Sequence, residues 1–295
     1  MSERTSPTST YYTHSGRAPA KGLILAIAGG AAASSFLALV YAYFDAACPF
    51  IYLNMVGTAI VGTVAGIVTG RLLIRGQVRN NLAAAAAGAA AGFIALYVAW
   101  AAWPGALIDK PTTDLRFAHL LTSPAALWAT ITAINHQGAW KFNGRIQTGV
   151  VLWLAWAGEA AYFMGLGLYW ARRYVASEPF CEVCQHWCAF EARVLETHGW
   201  DAERLKMCPE SKDLAQLAAL GPRTPNDVEW FRIDLRRCRG CGNTATLTAK
   251  RVELVSEDGK VGEKIEVVLD GLMVSGPEIE RLRNFRFDTP GRRGV

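Results

Sequence analysis

Acidic side chains are scarce in the first part of this chain of 295 residues: up to Arg173 there are five, Glu3, Asp45, Asp109, Asp114 and Glu159, against twelve Lys and Arg. One of the seven cysteines, Cys48, lies there, and the whole chain has five histidines. No Gly-rich phosphate loop, nucleophile elbow or H-E-x-x-H pair occurs, which removes the usual sequence grounds for a nucleotide-binding, serine-hydrolase or zinc-peptidase reading. The other half lacks an excess of cations: Tyr174 to Val295 holds 18 Lys and Arg against 20 Asp and Glu. Non-specific phosphate binding needs a surplus of Lys and Arg on one face, so this balance argues against a nucleic-acid partner.

What is present is apolar length. Mean hydropathy is +0.16 and 52% of residues are apolar. Four runs, about 22–44, 50–74, 82–103 and 147–171, each reach the roughly 20 residues that cover a ~30 Å hydrocarbon core. The first is too long for a signal-peptide core and follows a polar tail, so it reads as an uncleaved span. That tail, residues 1–21, is rich in Ser and Thr without apolar periodicity and is expected to be disordered. Residues 117–134 are apolar enough to raise a fifth-span reading, but Ser123 and Pro124 read as a cap and first turn, leaving an interfacial or re-entrant helix over about 124–134.

Charge beside the spans sets the orientation. Arg4, Arg17 and Lys21 precede the first run, Arg71, Arg75 and Arg79 separate the second from the third, and Arg172 and Arg173 follow the fourth. Both termini are therefore expected in the cytoplasm, with the bacterial inner membrane as the location if the source is bacterial. Small residues recur every fourth position at Ala26, Gly30 and Ser34, at Thr58, Gly62, Gly66 and Gly70, and at Ala84, Gly88 and Gly92. Such stripes let helices approach closely within one bundle or across a homo-oligomer face.

Glu159 interrupts the fourth span. A carboxyl group in hydrocarbon is costly and marks either an interhelical hydrogen bond or a transport pathway. With Asn54 and His119 as the other polar groups of note, and no second acid expected in the core, the hydrogen-bonding reading is preferred. A small transporter or channel working through Glu159 is the rival.

Beyond Arg173 the pattern becomes that of a small α+β domain over 174–295. Helical signals appear at Asp201 and Ser211, before AERLKM and KDLAQLAAL. Phe231, Ile233 and Leu235 alternate with Arg232, Asp234 and Arg236. Two further β-rich runs, 244–255 and 264–269, flank a hairpin cue at Asp258 and Gly259. Pro277 opens a last amphipathic turn or two, EIERLRNF.

Two pairs, Cys181-x-x-Cys184 and Cys238-x-x-Cys241, carry the strongest local signal. Two intervening residues let both thiolates of a knuckle reach one ion, and two knuckles complete a tetrahedral zinc site. In the second, CRGCG, Gly242 follows the last cysteine where positive φ is wanted. These motifs and their flanking strands resemble the zinc-ribbon group; CEVCQ departs from it in lacking the glycine, and 53 residues separate the knuckles. The resemblance implies a structural Zn held by Cys181, Cys184, Cys238 and Cys241. A redox dithiol would want a βαβ context around the CxxC, and an iron–sulfur cluster would recruit Cys188. Cys188, Cys208, His186 and His198 fit no ligand spacing, and the two thiols read as small buried hydrophobes.

The whole is read as a membrane all-α four-helix bundle followed by a zinc-ribbon-like soluble domain. Its expected role is an interaction or assembly module, with the bilayer and a protein at the cytoplasmic face as partners and self-association possible in principle. A membrane-tethered thiol oxidoreductase is the remaining alternative.

Overall fold

The computed structural model describes residues 10–48, 50–107, 115–139, 141–142, 145–198, 223–257 and 260–284. They form two compact units, one built from 15–177 and the other from the N-terminal segment to His14 together with the chain from Glu178 onward.

The first unit contains four long apolar helices packed together: α1 (Ala20–Ala47), α2 (Ile51–Arg75), α3 (Asn81–Leu107) and α6 (Gly149–Ala176). All four are long and apolar enough to cross a membrane. Their outer faces are rich in exposed Ile, Leu, Val and Phe, including Ile24, Phe36, Phe93 and Leu154, while small residues are buried between them. That inversion of the soluble pattern is what a lipid solvent allows. The small-residue stripes lie inside this one bundle. A Cβ at Gly66 or Gly88 would strike the backbone of Gly167 on α6, and one at Gly30 would strike Thr69 on α2. The glycines thus set how closely α6 approaches α2 and α3.

Between α3 and α6 lie α4 (Leu115–Thr122) and α5 (Pro124–Gln137), then a hairpin of β1 (Lys141–Phe142) and β2 (Arg145–Ile146). Ser123 caps α5 by accepting a hydrogen bond from Ala126 N at 3.3 Å, with Pro124 in the first turn. The two helices meet at 112°. Fourteen residues make α5 about 21 Å long, short of the hydrocarbon thickness.

The second unit is mostly β. A small hairpin pairs β3 (Phe180–Cys181) with β4 (His186–Trp187). An antiparallel sheet follows in the order β5 (Ala189–His198), β6 (Glu229–Arg237), β7 (Ala245–Glu257), β8 (Lys260–Met273), and α7 (Gly276–Asn284) closes the described chain. The core gathers Leu195, Phe231, Ile233, Leu235, Leu247, Ala249, Leu272 and Ile279. On the other face of β6, Arg232 and Asp234 are also buried, Arg232 against Glu196 and Glu263, and Asp234 against Lys250 at 2.7 Å. The alternation along β6 therefore separates an apolar face from an ion-paired face. The hairpin cue falls between Glu257 and Lys260, which pair in register; Asp258 and Gly259 lie outside the described residues, as do the helical signals at Asp201 and Ser211.

Disorder over residues 1–21 does not hold for 10–19. Tyr11 bridges Leu272, Tyr12 N donates to Gly271 O at 2.8 Å, and Met273 N donates to Thr10 O at 2.9 Å. The Tyr12 hydroxyl accepts from Phe180 N at 2.9 Å. A polar segment without periodicity of its own is ordered here because the edge of β8 supplies the missing backbone partners. Residues 1–9 lie outside the described chain.

Candidate metal centre

The two knuckles meet although one sits on the β3–β4 hairpin and the other joins β6 to β7. The Sγ atoms of Cys181, Cys184, Cys238 and Cys241 all lie within 4.8 Å of one another, and Cys181 Sγ is 3.5 Å from Cys241 Sγ. Four bonds of ~2.3 Å to one ion put tetrahedral ligands about 3.8 Å apart, so a group within 4.8 Å is close to the spacing that one ion requires. Cys181 and Cys238 are buried, and Cys184 and Cys241 half-buried.

Each knuckle is a tight turn closed by the same backbone bond. Gln185 N donates to Cys181 O at 2.8 Å, and Gly242 N donates to Cys238 O at 3.1 Å. Gln185 has φ 55° and Gly242 has φ 67°. The glycine missing from the first knuckle is thus a missing residue type, and the conformation is kept. Asn243 N also donates toward Cys241 Sγ at 3.4 Å. Gly240 makes room for the other pair: a Cβ on it would stand 3.0 Å from Cys184 Sγ.

The sulfurs perturb one another. Burial pushes the Cys181 thiol up, but hydrogen bonds from the Thr244 side chain, the Cys184 and Val183 backbone and Cys241 outweigh it and bring it down to about 6. Cys184 moves the other way, to about 12, because it lies against Cys241 and Cys238 and is left as the protonated member. Four sulfurs this close cannot all be thiolates unless a cation shares the space. The donor set fits a soft, four-coordinate metal ion.

Cys188 is buried beside the cluster, its thiol donating to Thr244 O at 3.7 Å, and it stands outside the four-sulfur group. Burial, followed by the neighbouring Cys238, pushes it up to about 12, as for an inert core thiol. His186 is exposed, with Nδ1 against Cys184 O. His198 pairs with Asp227 at 2.8 Å. Neither histidine belongs to the cluster, and Cys208 lies outside the described residues.

In the helical bundle, Glu159 Oε1 accepts from the Tyr41 hydroxyl at 2.8 Å, which links α6 to α1 as the hydrogen-bonding reading expects. Glu159 is ten residues into α6, about 15 Å from its start and about 26 Å from its end. The expectation of no second acid in the core needs correction: Asp45, just beyond the first apolar run, belongs to the last turn of α1 and lines the same cavity as Glu159.

Comparison of the chain with protein-family profiles, with curated proteins and with solved structures found no match.

Proposed function

We propose that this is an integral membrane protein whose mostly β domain is held together by a structural zinc ion and serves as an interaction or assembly module at the cytoplasmic face of the membrane. The observation that carries the reading is the convergence of four cysteine sulfurs, from knuckles far apart in sequence, into one group. Cys181, Cys184, Cys238 and Cys241 would hold the ion, and a bound zinc supplies folding energy to the domain. A set of four protein thiolates leaves no open coordination position for a substrate, which favours a surface-presenting role over catalysis. Thiol–disulfide exchange is disfavoured by access, since Cys181 and Cys238 are 0% and 2% exposed.

The side of the membrane follows from charge and from parity. Thr10 and Tyr12 bond to the same sheet that follows α6, which supports a common side for residues 14 and 178 of a bilayer that the helices cross. A common side goes with an even number of crossings and supports four spans over five. The Lys and Arg beside the span ends favour the cytoplasm for that side.

Metal analysis of the full-length protein purified in detergent tests the reading. About one zinc per chain is expected, lost together with β-structure on chelation or when any of the four cysteines is replaced by Ser, and retained in Cys188→Ser. A metal-free protein with its sheet intact would overturn the proposal, and one iron per chain in place of zinc would overturn the metal assignment.

A further inference from the structure

A cavity of about 20 Å³ opens among the helices of the bundle, lined by Tyr41 and Asp45 of α1, Trp100 and Trp103 of α3, Trp156 of α6 and Glu159 of α6, with Ile131 of α5 completing the wall. That volume suits about one water molecule, provided two or more polar groups hold it. The cavity offers two carboxyl groups and no basic side chain. Two carboxylates in an apolar bundle repel one another and lose hydration, so one counter-charge has to be taken up from outside.

The hydrogen bonds around Glu159 accommodate that uptake. The Thr58 hydroxyl lies 2.9 Å from the Tyr41 hydroxyl and 2.9 Å from Asn54 O, and Tyr41 lies 2.8 Å from Glu159. A hydroxyl has one proton to give. With Glu159 ionised the chain runs from Thr58 to Tyr41 to Glu159. With Glu159 protonated it runs from Glu159 to Tyr41 to Thr58 and ends on the Asn54 carbonyl. Both directions leave every member satisfied, so the chain tolerates either protonation state of Glu159. Trp100 reaches the same carboxyl group, and Trp103 lies beside Asp45, its buried indole N–H short of good hydrogen-bond geometry. The Asp45 carboxyl group is the acceptor beside that N–H, and a water molecule in the cavity would complete the bond.

We propose that Asp45 and Glu159 form a proton-binding site, holding one exchangeable proton between them through a single water. Transfer is balanced within the site: the water receives a proton from one carboxyl group as it delivers one to the other carboxylate, and no redox partner is involved. The charged and titratable groups lining the cavity are Tyr41 and Asp45 on α1 and Glu159 on α6; α3 and α5 contribute only Trp, Ala and Ile, and α2 contributes the neutral Thr58 through Tyr41. Asp45 is two residues from the end of α1, about 3 Å along the axis, so the site lies toward that end of α1. Divalent ions are poorly matched, because they demand six or more oxygens or retained waters that one water-sized space cannot hold.

Infrared difference spectroscopy of the full-length protein in lipid nanodiscs, titrated with acid, reads the carboxylic C=O stretch directly. Uptake of about one proton per chain is expected, with a band that shifts in deuterium oxide, disappears or moves in Glu159→Gln, and changes its titration in Asp45→Asn. Tyr41→Phe, which keeps both carboxyl groups, is expected to retain the titration and shift the band as Glu159 loses its partner. A band that ignores pH, or one indifferent to Asp45→Asn, would mean that Glu159 is a fixed structural acid and would overturn the proposal. Thermal stabilisation by sodium or potassium chloride at fixed pH, absent with choline chloride and abolished in Asp45→Asn, would overturn it in favour of a metal-cation site.

Discussion

Gln185 and Gly242 stand at the same place in their two knuckles, each donating its backbone N–H to the carbonyl of the first cysteine and each in the left-handed region, at φ 55° and 67°. Only one of them is the residue that this conformation favours. A side chain in left-handed backbone costs about 1–2 kcal/mol relative to glycine. Gln185→Gly should therefore leave the fold and its metal content intact and raise thermal stability by up to about 1 kcal/mol, after the added chain entropy of glycine is set against the relieved strain. Gly242→Ala should lower it by about 1 kcal/mol or more. Differential scanning fluorimetry of the two variants checks the opposite signs; a loss in Gln185→Gly as large as in Gly242→Ala would show that the turns are not equivalent.

Gly240 tests the packing of the site. The Cβ of alanine here would sit 3.0 Å from Cys184 Sγ, closer than carbon and sulfur settle without displacement, and at ordinary contact distance, 3.8 Å, from Cys238 Sγ. Gly240→Ala is expected to keep all four cysteines and still weaken metal retention on the order of tenfold, measured as the chelator concentration that strips half the zinc. Unchanged retention would mean that the knuckles close differently around the ion.

The parts legible in the sequence were those whose signal is local. Apolar runs longer than a bilayer is thick gave the four long helices, Ser123 and Pro124 gave the start of α5, and CxxC spacing gave the knuckles. What stayed hidden depends on partners remote in the chain. Strand β5 lacks clean alternation because Arg193, at φ 54°, breaks its register with β6, and its N–H goes to the Asp234 carboxylate at 2.8 Å instead of to a neighbouring strand. The Asp45–Glu159 cavity needed α1 to continue past Phe44, beyond the end of its clearest apolar run, and needed α1, α3 and α6 to meet at one level. No spacing rule reports that.

Asp227 carries a pH dependence whose sign is fixed by its contacts. Hydrogen bonds from His198 and from the Thr224 side chain and backbone hold its carboxyl down at about 2, below the ordinary carboxylate range near ~4. A depressed folded value means that this stabilisation is complete above the unfolded value and fades as pH falls toward about 2. The Thr224 amide, bonded to Asp227 Oδ2 at 2.7 Å, should thus lose protection from hydrogen exchange progressively as pH falls from about 4 to about 2, and in Asp227→Asn at any pH. Protection at Thr224 that is identical in the two proteins at neutral pH would refute the assignment.

The N-terminal segment is the structural tie with the widest consequence. Tyr12 joins the edge of β8 through its backbone and the start of the first knuckle through its hydroxyl, beside Phe180, which immediately precedes Cys181. Its ring also meets His14 edge-on at 5.1 Å, and His14 meets Trp187 of β4 at 6.3 Å. A fragment beginning after α6 would therefore lack one wall of the metal domain, and the full-length chain is the proper object for metal work. Tyr12→Phe removes the acceptor for Phe180 N, for which about 1–2 kcal/mol of domain stability is expected to be lost. Deleting residues 2–14 should cost more and speed zinc loss, while leaving the helical bundle assembled, as read by far-ultraviolet circular dichroism of the detergent-solubilised protein. The same tie makes a prediction about topology. A membrane-impermeant label on a cysteine placed at His14, with the native cysteines protected, and a reporter fused after Val295 must report the same side. Opposite sides would mean an odd number of crossings and would overturn the even number that the pairing of Tyr11 with Leu272 supports.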